Sequence, residues 1–424
     1  MPGTVNIYYP KELSWLSFNQ RVLQEAADVN NPIIERIRFL GIYSNNMDEF
    51  YRVRVADVKR KIYIHLNEGE FEEADQTKLL MEKIQEKVLG MTKNFDRIHS
   101  NVVKGLARYN IFLLGEEDLN DYHTQWLSNY FKNKILRHIA PVLLNKKVKL
   151  VSRLNDFATY LYVGVHKDDK AIAYATIEVP SQNMSRFVVI PPEKSRKKKY
   201  IILLDDIIRL NLETIFKGFI EFDSLEAFSF KMTRDSEYSL NDEIDESYVD
   251  KMSESMKQRL IAEPVRVVHD SRMPSEMLKD LKKRLKISSY DSLISSGPYR
   301  NFKDFIGFPN IGRDYLENQE LPALTSKDFS EYDTVFDAIT AKDILLHYPY
   351  HRFLHVTEFI RQAAFDTSVK HIRLNIYRVA SQSRVISSLI DAVDNGKKVT
   401  VVVELRARFD EEANIQWSKK MTDA

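Results

Sequence analysis

The chain of 424 residues has no cysteine. That excludes thiol catalysis, disulfides and zinc–thiolate sites in one step. No apolar run approaches the roughly 20 residues that span a bilayer. A secretory signal is also missing, because Pro10, Lys11 and Glu12 come too early for its charged-then-apolar pattern. Cytoplasm is the expected compartment. No charge sign dominates either: 62 Lys and Arg face 61 Asp and Glu, for a net charge of +1. A nucleic-acid coat would be basic overall, so nucleic acid is not an expected partner, whereas a local basic channel for a polyanion stays open. The dense basic run Lys194–Lys199 lies beside Pro191-Pro192 and reads as a solvated turn. Glycine-rich phosphate loops, dinucleotide fingerprints and Gly-x-Ser-x-Gly elbows are absent. Any nucleotide phosphate must therefore be held by side chains.

What is present is a globular composition, 44% apolar and 29% charged, long enough for two to four domains. Residues 1–109 read as an all-α domain. Glu12 to Ala27 has helical apolar spacing, Pro32 opens a second helix running to about Tyr43, and a third begins near Asn46 to Asp48, which can cap it. Thr77 to Leu106 is a long amphipathic helix with a break at Gly90. Residues 110–324 mix strands (Ala158 to Val165, Ala171 to Val179, Arg186 to Ile190, Tyr200 to Leu204, Leu225 to Arg234, Pro264 to His269) with helices at Asp242 to Leu260 and Ser275 to Leu285. This is an α+β domain whose one-sided polarity predicts an antiparallel sheet with one wet face. From about Thr325 the order becomes helix His355–Phe365, strand Lys370–Val379, helix Ser381–Asn395, strand Lys398–Leu405, as in a βαβ unit. A helix begins at Glu411.

Arginines close both strands of that unit: Arg378 the first, Arg406 and Arg408 the second. Ligands of parallel α/β sheets sit outside the carboxyl ends of the strands, and guanidinium forks suit phosphate oxygens. Pairing with Glu404, Asp410, Glu411 or Glu412 is the alternative. His351, His355 and Glu358 have the spacing of metal ligands on a helix, or they belong to a helix start packed with aromatics. Asn45 and Asn46 either cap a helix or offer an amide to a nucleotide.

The residues Glu12–Asn19, Arg38–Asn46 with Asp48–Phe50, Phe230–Asp235, Tyr299–Phe302, Leu345–Tyr350, Ile376–Arg378 and Val403–Asn414 closely resemble bacterial polyphosphate kinases of the first type. The resemblance runs the length of the chain. It implies a multidomain α+β protein: an all-α N-terminal domain (1–109), an α+β head domain (110–324) and a first phospholipase D-like α/β domain (325–424), here incomplete. It implies reversible transfer of the ATP γ-phosphoryl group to the end of inorganic polyphosphate, with Mg²⁺ and a phosphohistidine intermediate. Asn46 would contact the nucleotide, with Arg378 and Arg408 at the phosphates and magnesium. A guanidinium has no lone pair to give, so the arginines would hold phosphate oxygens that carry the metal. None of the ten histidines matches the position of the intermediate. It is expected after Ala424, and the chain alone is expected to lack turnover. A homo-oligomer, dimer or tetramer, with peripheral membrane association completes the expectation. Two rivals stand beside it: a phospholipase D-like phosphodiesterase and a non-catalytic polyanion-binding module.

Overall fold

A computed structural model describes residues 8–192, 197–235, 264–297, 299, 301–380, 382–405, 407 and 411–424. The expected helix Asp242 to Leu260 lies outside these residues, as do Arg406 and Arg408. The described residues form two compact units, one reaching Asn318 and the other running from Gln319 to Ala424.

The first unit opens with helices α1 (Lys11–Ala27), α2 (Ile33–Phe50), α3 (Ala56–Glu68) and α4 (Phe71–Ala107). Pro32 sits just before α2, where its missing N–H costs no helical bond. The expected stop at Tyr43 does not occur. Helix α2 runs on through Phe50 and passes by a π-helical turn, Tyr51–Val55, directly into α3. The cap reading of Asn46 and Asp48 is thereby corrected, and the cause is tertiary. Asn46 donates its amide to Asn19, while Asp48 pairs with Lys231 and Arg266. Side chains engaged in this way no longer compete for nearby backbone groups.

Helix α4 is likewise unbroken. Gly90 costs about 1 kcal/mol relative to alanine, but the buried stripe Ile84, Val88, Met91, Phe95, Ile98 continues across it. Gly41 has a tighter duty. A Cβ there would collide with the backbone of Phe305 and Ile306 in the short 3₁₀ turn Phe302–Gly307, which lies on α2.

Next come β1 (Ile111–Leu114), helix α5 (Asp121–Tyr130), β2 (Val142–Leu143), β3 (Tyr160–Lys167), β4 (Lys170–Glu178), β5 (Phe187–Ile190), β6 (Lys199–Leu203), β7 (Ser224–Arg234), β8 (Pro264–Asp270) and β9 (Ser292–Ser296). Strand β6 begins at Lys199, where the basic run was expected to be turn. Strands β1, β6 and β5 form one small sheet. The larger sheet has the order β2-β4-β3-β7-β8-β9, antiparallel except for β8 against β9.

Its centre has no wet face, contrary to the expectation from strand polarity. Leu161 and Val163 of β3 enter a core with Leu127 and Phe131. Tyr160 and Tyr162 enter another with Met277 and Leu281 of helix Ser275–Leu285. Tyrosine reads as polar in sequence, yet here its ring is buried and its hydroxyl is bonded: Tyr160 donates to Glu178 at 2.8 Å. A further apolar cluster joins α1–α4 to Phe187, Ile201, Phe305 and Phe308. Lys59 of α3 adds a polar tie, donating to Asp291 at 2.6 Å and to the Pro264 carbonyl at 3.2 Å.

In the second unit β10 (His371–Ile376) and β11 (Lys398–Val403) pair in parallel, from His371 opposite Lys398 to Ile376 opposite Val403. Helix Arg384–Asp394 connects them, capped by Ser383 and ended by Asn395-Gly396, where Gly396 takes a φ of +77°. Helices Leu354–Phe365 and Glu411–Asp423 flank this pair in sequence. The buried apolar centre is Ile360, Ile376, Ile386 and Leu389.

Candidate functional site

Arg378 stands two residues beyond the end of β10. It is solvent-exposed, with its guanidinium 5.4 Å from the Tyr377 ring centre. Parallel pairing puts the exit of β10 beside the exit of β11, and the Glu404 N–H donates to the Ile376 carbonyl at 2.9 Å as the last rung. A side chain leaving this edge is where an anion outside the sheet would meet it.

The edge is also clamped from behind. Asn414, fully buried in helix Glu411–Asp423, donates its amide to the carbonyls of Tyr377 at 2.9 Å and Glu404 at 2.7 Å. Trp417, one turn on, donates to the Ala380 carbonyl at 3.2 Å. The role of Asn414 was not read from sequence, although it closes the motif Val403–Asn414. A run of Asp, Glu and Asn after a strand shows no carbonyl partners.

Asn46 belongs to the first unit and Arg378 to the second. Asn46 is half-buried in the last turns of α2 and donates its amide to Asn19 Oδ1 at 3.0 Å. Asn19 is itself buried and donates to the Tyr43 carbonyl at 3.2 Å. This chain of bonds fixes which way the Asn46 amide faces. Sequence alone could not have found Asn19, since 27 residues separate the two.

The histidine set resolves against metal binding. His355 accepts from the Ser326 N–H at 3.0 Å, His351 accepts from the His347 N–H at 2.9 Å, and Glu358 pairs with Arg361. His355 stacks on Phe329, as a packed helix start would have it. Among the described residues no three His, Asp or Glu side chains gather as a metal site. Arg378 is a pure donor. Its guanidinium can donate to phosphate oxygens and cannot ligate Mg²⁺ directly.

Three of the sequence motifs meet elsewhere. Asp48 of α2 pairs with Lys231 of β7 and, at 3.2 Å, with Arg266 of β8. Lys231 also donates to Asn301 Oδ1 at 2.8 Å, and Asn301 in turn donates to the Phe157 carbonyl. Burial depresses the Lys231 ammonium below its ordinary range, against the opposing pull of Asp48. Nearby, Arg186 grips Asp205 with two bonds of 2.9 and 2.8 Å and reaches Asp304 at 3.2 Å. Burial raises the Asp206 carboxyl to about 6, although Arg209 pulls the other way and Tyr299 donates to it at 2.8 Å. These groups are occupied with one another. They join helices to sheet.

Comparison with known proteins follows this division. Residues 8–114 match the polyphosphate kinase N-terminal domain, residues 122–308 its middle domain and residues 334–424 its C-terminal domain 1. The chain is 53% identical to a polyphosphate kinase of Vibrio vulnificus over 98% of its own length and 59% of the relative's. Against the polyphosphate kinase of Escherichia coli K12 it is 51% identical, over 100% and 61% respectively. The crystal structure of a polyphosphate kinase from Porphyromonas gingivalis superposes with a TM-score of 0.74 at 31% identity, covering 99% of this chain and 58% of that one. The chain thus spans about three-fifths of the length of these proteins. On these matches, carried across all three regions, the chain belongs to the polyphosphate kinase family.

Proposed function

We propose that this chain serves reversible transfer of the ATP γ-phosphoryl group to the end of an inorganic polyphosphate chain. The observation that carries the reading is the exit edge of β10 and β11, which presents Arg378 to solvent at the place where a parallel sheet receives its ligand. Phosphoryl transfer asks little covalent chemistry of a protein and much charge stabilisation. Arg378 would hold non-bridging phosphate oxygens and gain strength as charge gathers on the transferring group. Arg408, in the same loop system by sequence, is proposed for the same duty, and Asn46 for contact with the nucleotide. Mg²⁺ would enter on the phosphates of ATP and neutralise part of their charge. The arginines would meet it only through those phosphate oxygens. Within this proposal, residues 1–109, 110–324 and 325–424 act as helical, head and phospholipase D-like domains of a homo-oligomer.

The test is Arg378→Ala in the enzyme purified from its host. Turnover with ATP and polyphosphate should fall about 10²- to 10³-fold, the scale set by removing one preorganised donor. Unchanged turnover would remove Arg378 from the anion site. Hydrolysis of phosphodiesters without ATP consumption would instead favour the phosphodiesterase reading.

A further inference from the structure

We infer that Asn414 is a positioning residue for the phosphate site: one buried carboxamide sets the spacing of the two strand exits from which the anion-binding loops leave. The inference rests on the phosphate-binding reading of Arg378.

The geometry is specific. Tyr377 and Glu404 each follow the last residue of a strand, β10 and β11 respectively. Past the last rung, from the Glu404 N–H to the Ile376 carbonyl, ladder pairing no longer holds the two chains at sheet spacing. Asn414 replaces it, because its Nδ2 has two protons and spends one on each carbonyl, at 2.9 and 2.7 Å. Arg378 is the residue directly after Tyr377, so the peptide that carries its amide is the one Asn414 grips.

The amide orientation is not ambiguous. Two carbonyl oxygens can only accept, so the nitrogen must face them and the oxygen must face away. That oxygen, Oδ1, is buried and has no hydrogen-bond partner. The residue therefore retains an unmet acceptor, a cost that an apolar side chain at a fully buried position would avoid. What the carboxamide adds over such a side chain is the double donation alone. No other side chain of this size offers two protons from one nitrogen without a charge.

Its neighbours reinforce the reading. Ala407, three residues beyond Glu404, is fully buried. Trp417 holds the first loop three residues beyond Tyr377, through Ala380. The first two turns of helix Glu411–Asp423 thus grip both loops, and Asn414 is the residue that touches the two together.

The test is a double-mutant cycle between Asn414→Ser and Arg378→Ala in the full chain, read by calorimetric titration of magnesium ATP and of inorganic tripolyphosphate. Arg378→Ala should weaken binding, and Asn414→Ser alone should weaken it about tenfold. In the Arg378→Ala background the serine change should cost less than twofold, because the group it positions is gone. A serine effect of equal size in both backgrounds, or none in either while Arg378→Ala weakens binding, would overturn the role of Asn414 and leave the anion site standing. Undetectable binding by the parent chain, or undiminished binding by Arg378→Ala, would overturn the anion site and the inference with it. Should the serine variant unfold at assay temperature, Asn414→Gln carries the same cycle. It keeps a carboxamide in place but moves it by one methylene, and the same non-additivity is expected.

Discussion

Arg186 and Arg378 show how differently the two units treat a guanidinium. In the first unit the Arg186 side chain is 1% exposed against an Asp205 of 0%, sealed within a network that reaches Asp304. In the second, Arg378 stands in solvent at the end of a two-stranded pair over a small apolar centre. The first unit also has three extended apolar clusters, whereas the second has one small one. Buried charge in a thick core resists rearrangement, because separating the pair strands a charge in low dielectric. Exposed charge on a light scaffold can meet a ligand, but it depends on local ties for its aim. Under the proposed function Arg378 would give the second unit its phosphate contact, while the sealed pair of Arg186 and Asp205 stiffens the first.

Four experiments press on this contrast. The largest effect should come from Arg186→Ala, which leaves Asp205 buried and unpaired at about 3–5 kcal/mol. Urea titration followed by the fluorescence of Trp15 and Trp126 should show it, with Trp417→Phe silencing the second unit. Survival of the first unit at its original midpoint would break the contrast. Leu389→Ala should cost the second unit about 2–5 kcal/mol, as a Leu removed from a core does. The Trp417 signal should shift while the other two tryptophans hold. A common shift of all three would mean that the units unfold as one.

Acid should act next. Burial among Phe95, Phe302 and Phe305 lowers the His99 imidazole from 6.5 to about 4. Folded His99 stays neutral while the unfolded chain takes up a proton, so its stabilising share is complete above pH 6.5. That share is lost as pH falls toward 4. His99→Phe should flatten the pH dependence of the first unit over that window by about 1–3 kcal/mol. An unchanged slope would rule the histidine out as its source. Smallest of all, Arg378→Ala should change stability by no more than about 0.5 kcal/mol, as an exposed substitution does, despite its large effect on rate. A drop of several kcal/mol in the urea midpoint would make Arg378 a structural residue.

What the sequence revealed and what it hid divide along the same physical line. Helix α1 and the helix Ser275–Leu285 were readable because their buried residues recur at helical spacing, and strands β3, β4 and β7 because they are short runs rich in β-branched and aromatic residues. Asn45-Asn46-Met47-Asp48 misled, since its residues are good caps in isolation, and only Asn19, Lys231 and Arg266 make them helix interior. The π-turn Tyr51–Val55 shifts the helical phase, so Tyr51, Val53 and Val55 are buried at alternate positions and fit no single 3.6-residue stripe. Strand β9, Ser292–Ser296, was missed because three of its five residues are serine. Of the candidate site, the strand-exit arginine was legible from the apolar run before it. The clamp at Asn414 was not, because backbone carbonyls have no letter in a sequence.

Helix α4 has one last consequence. Thirty-seven residues at 1.5 Å each make a rod of about 55 Å. Its buried stripe steps by three or four residues from Met81 to Leu106, so the middle turns are held throughout. Amide protons in its middle turns should therefore exchange with solvent only when the whole first unit opens. Deuterium uptake along this one helix becomes a gauge of that opening, legible even while Arg378 in the other unit is being altered.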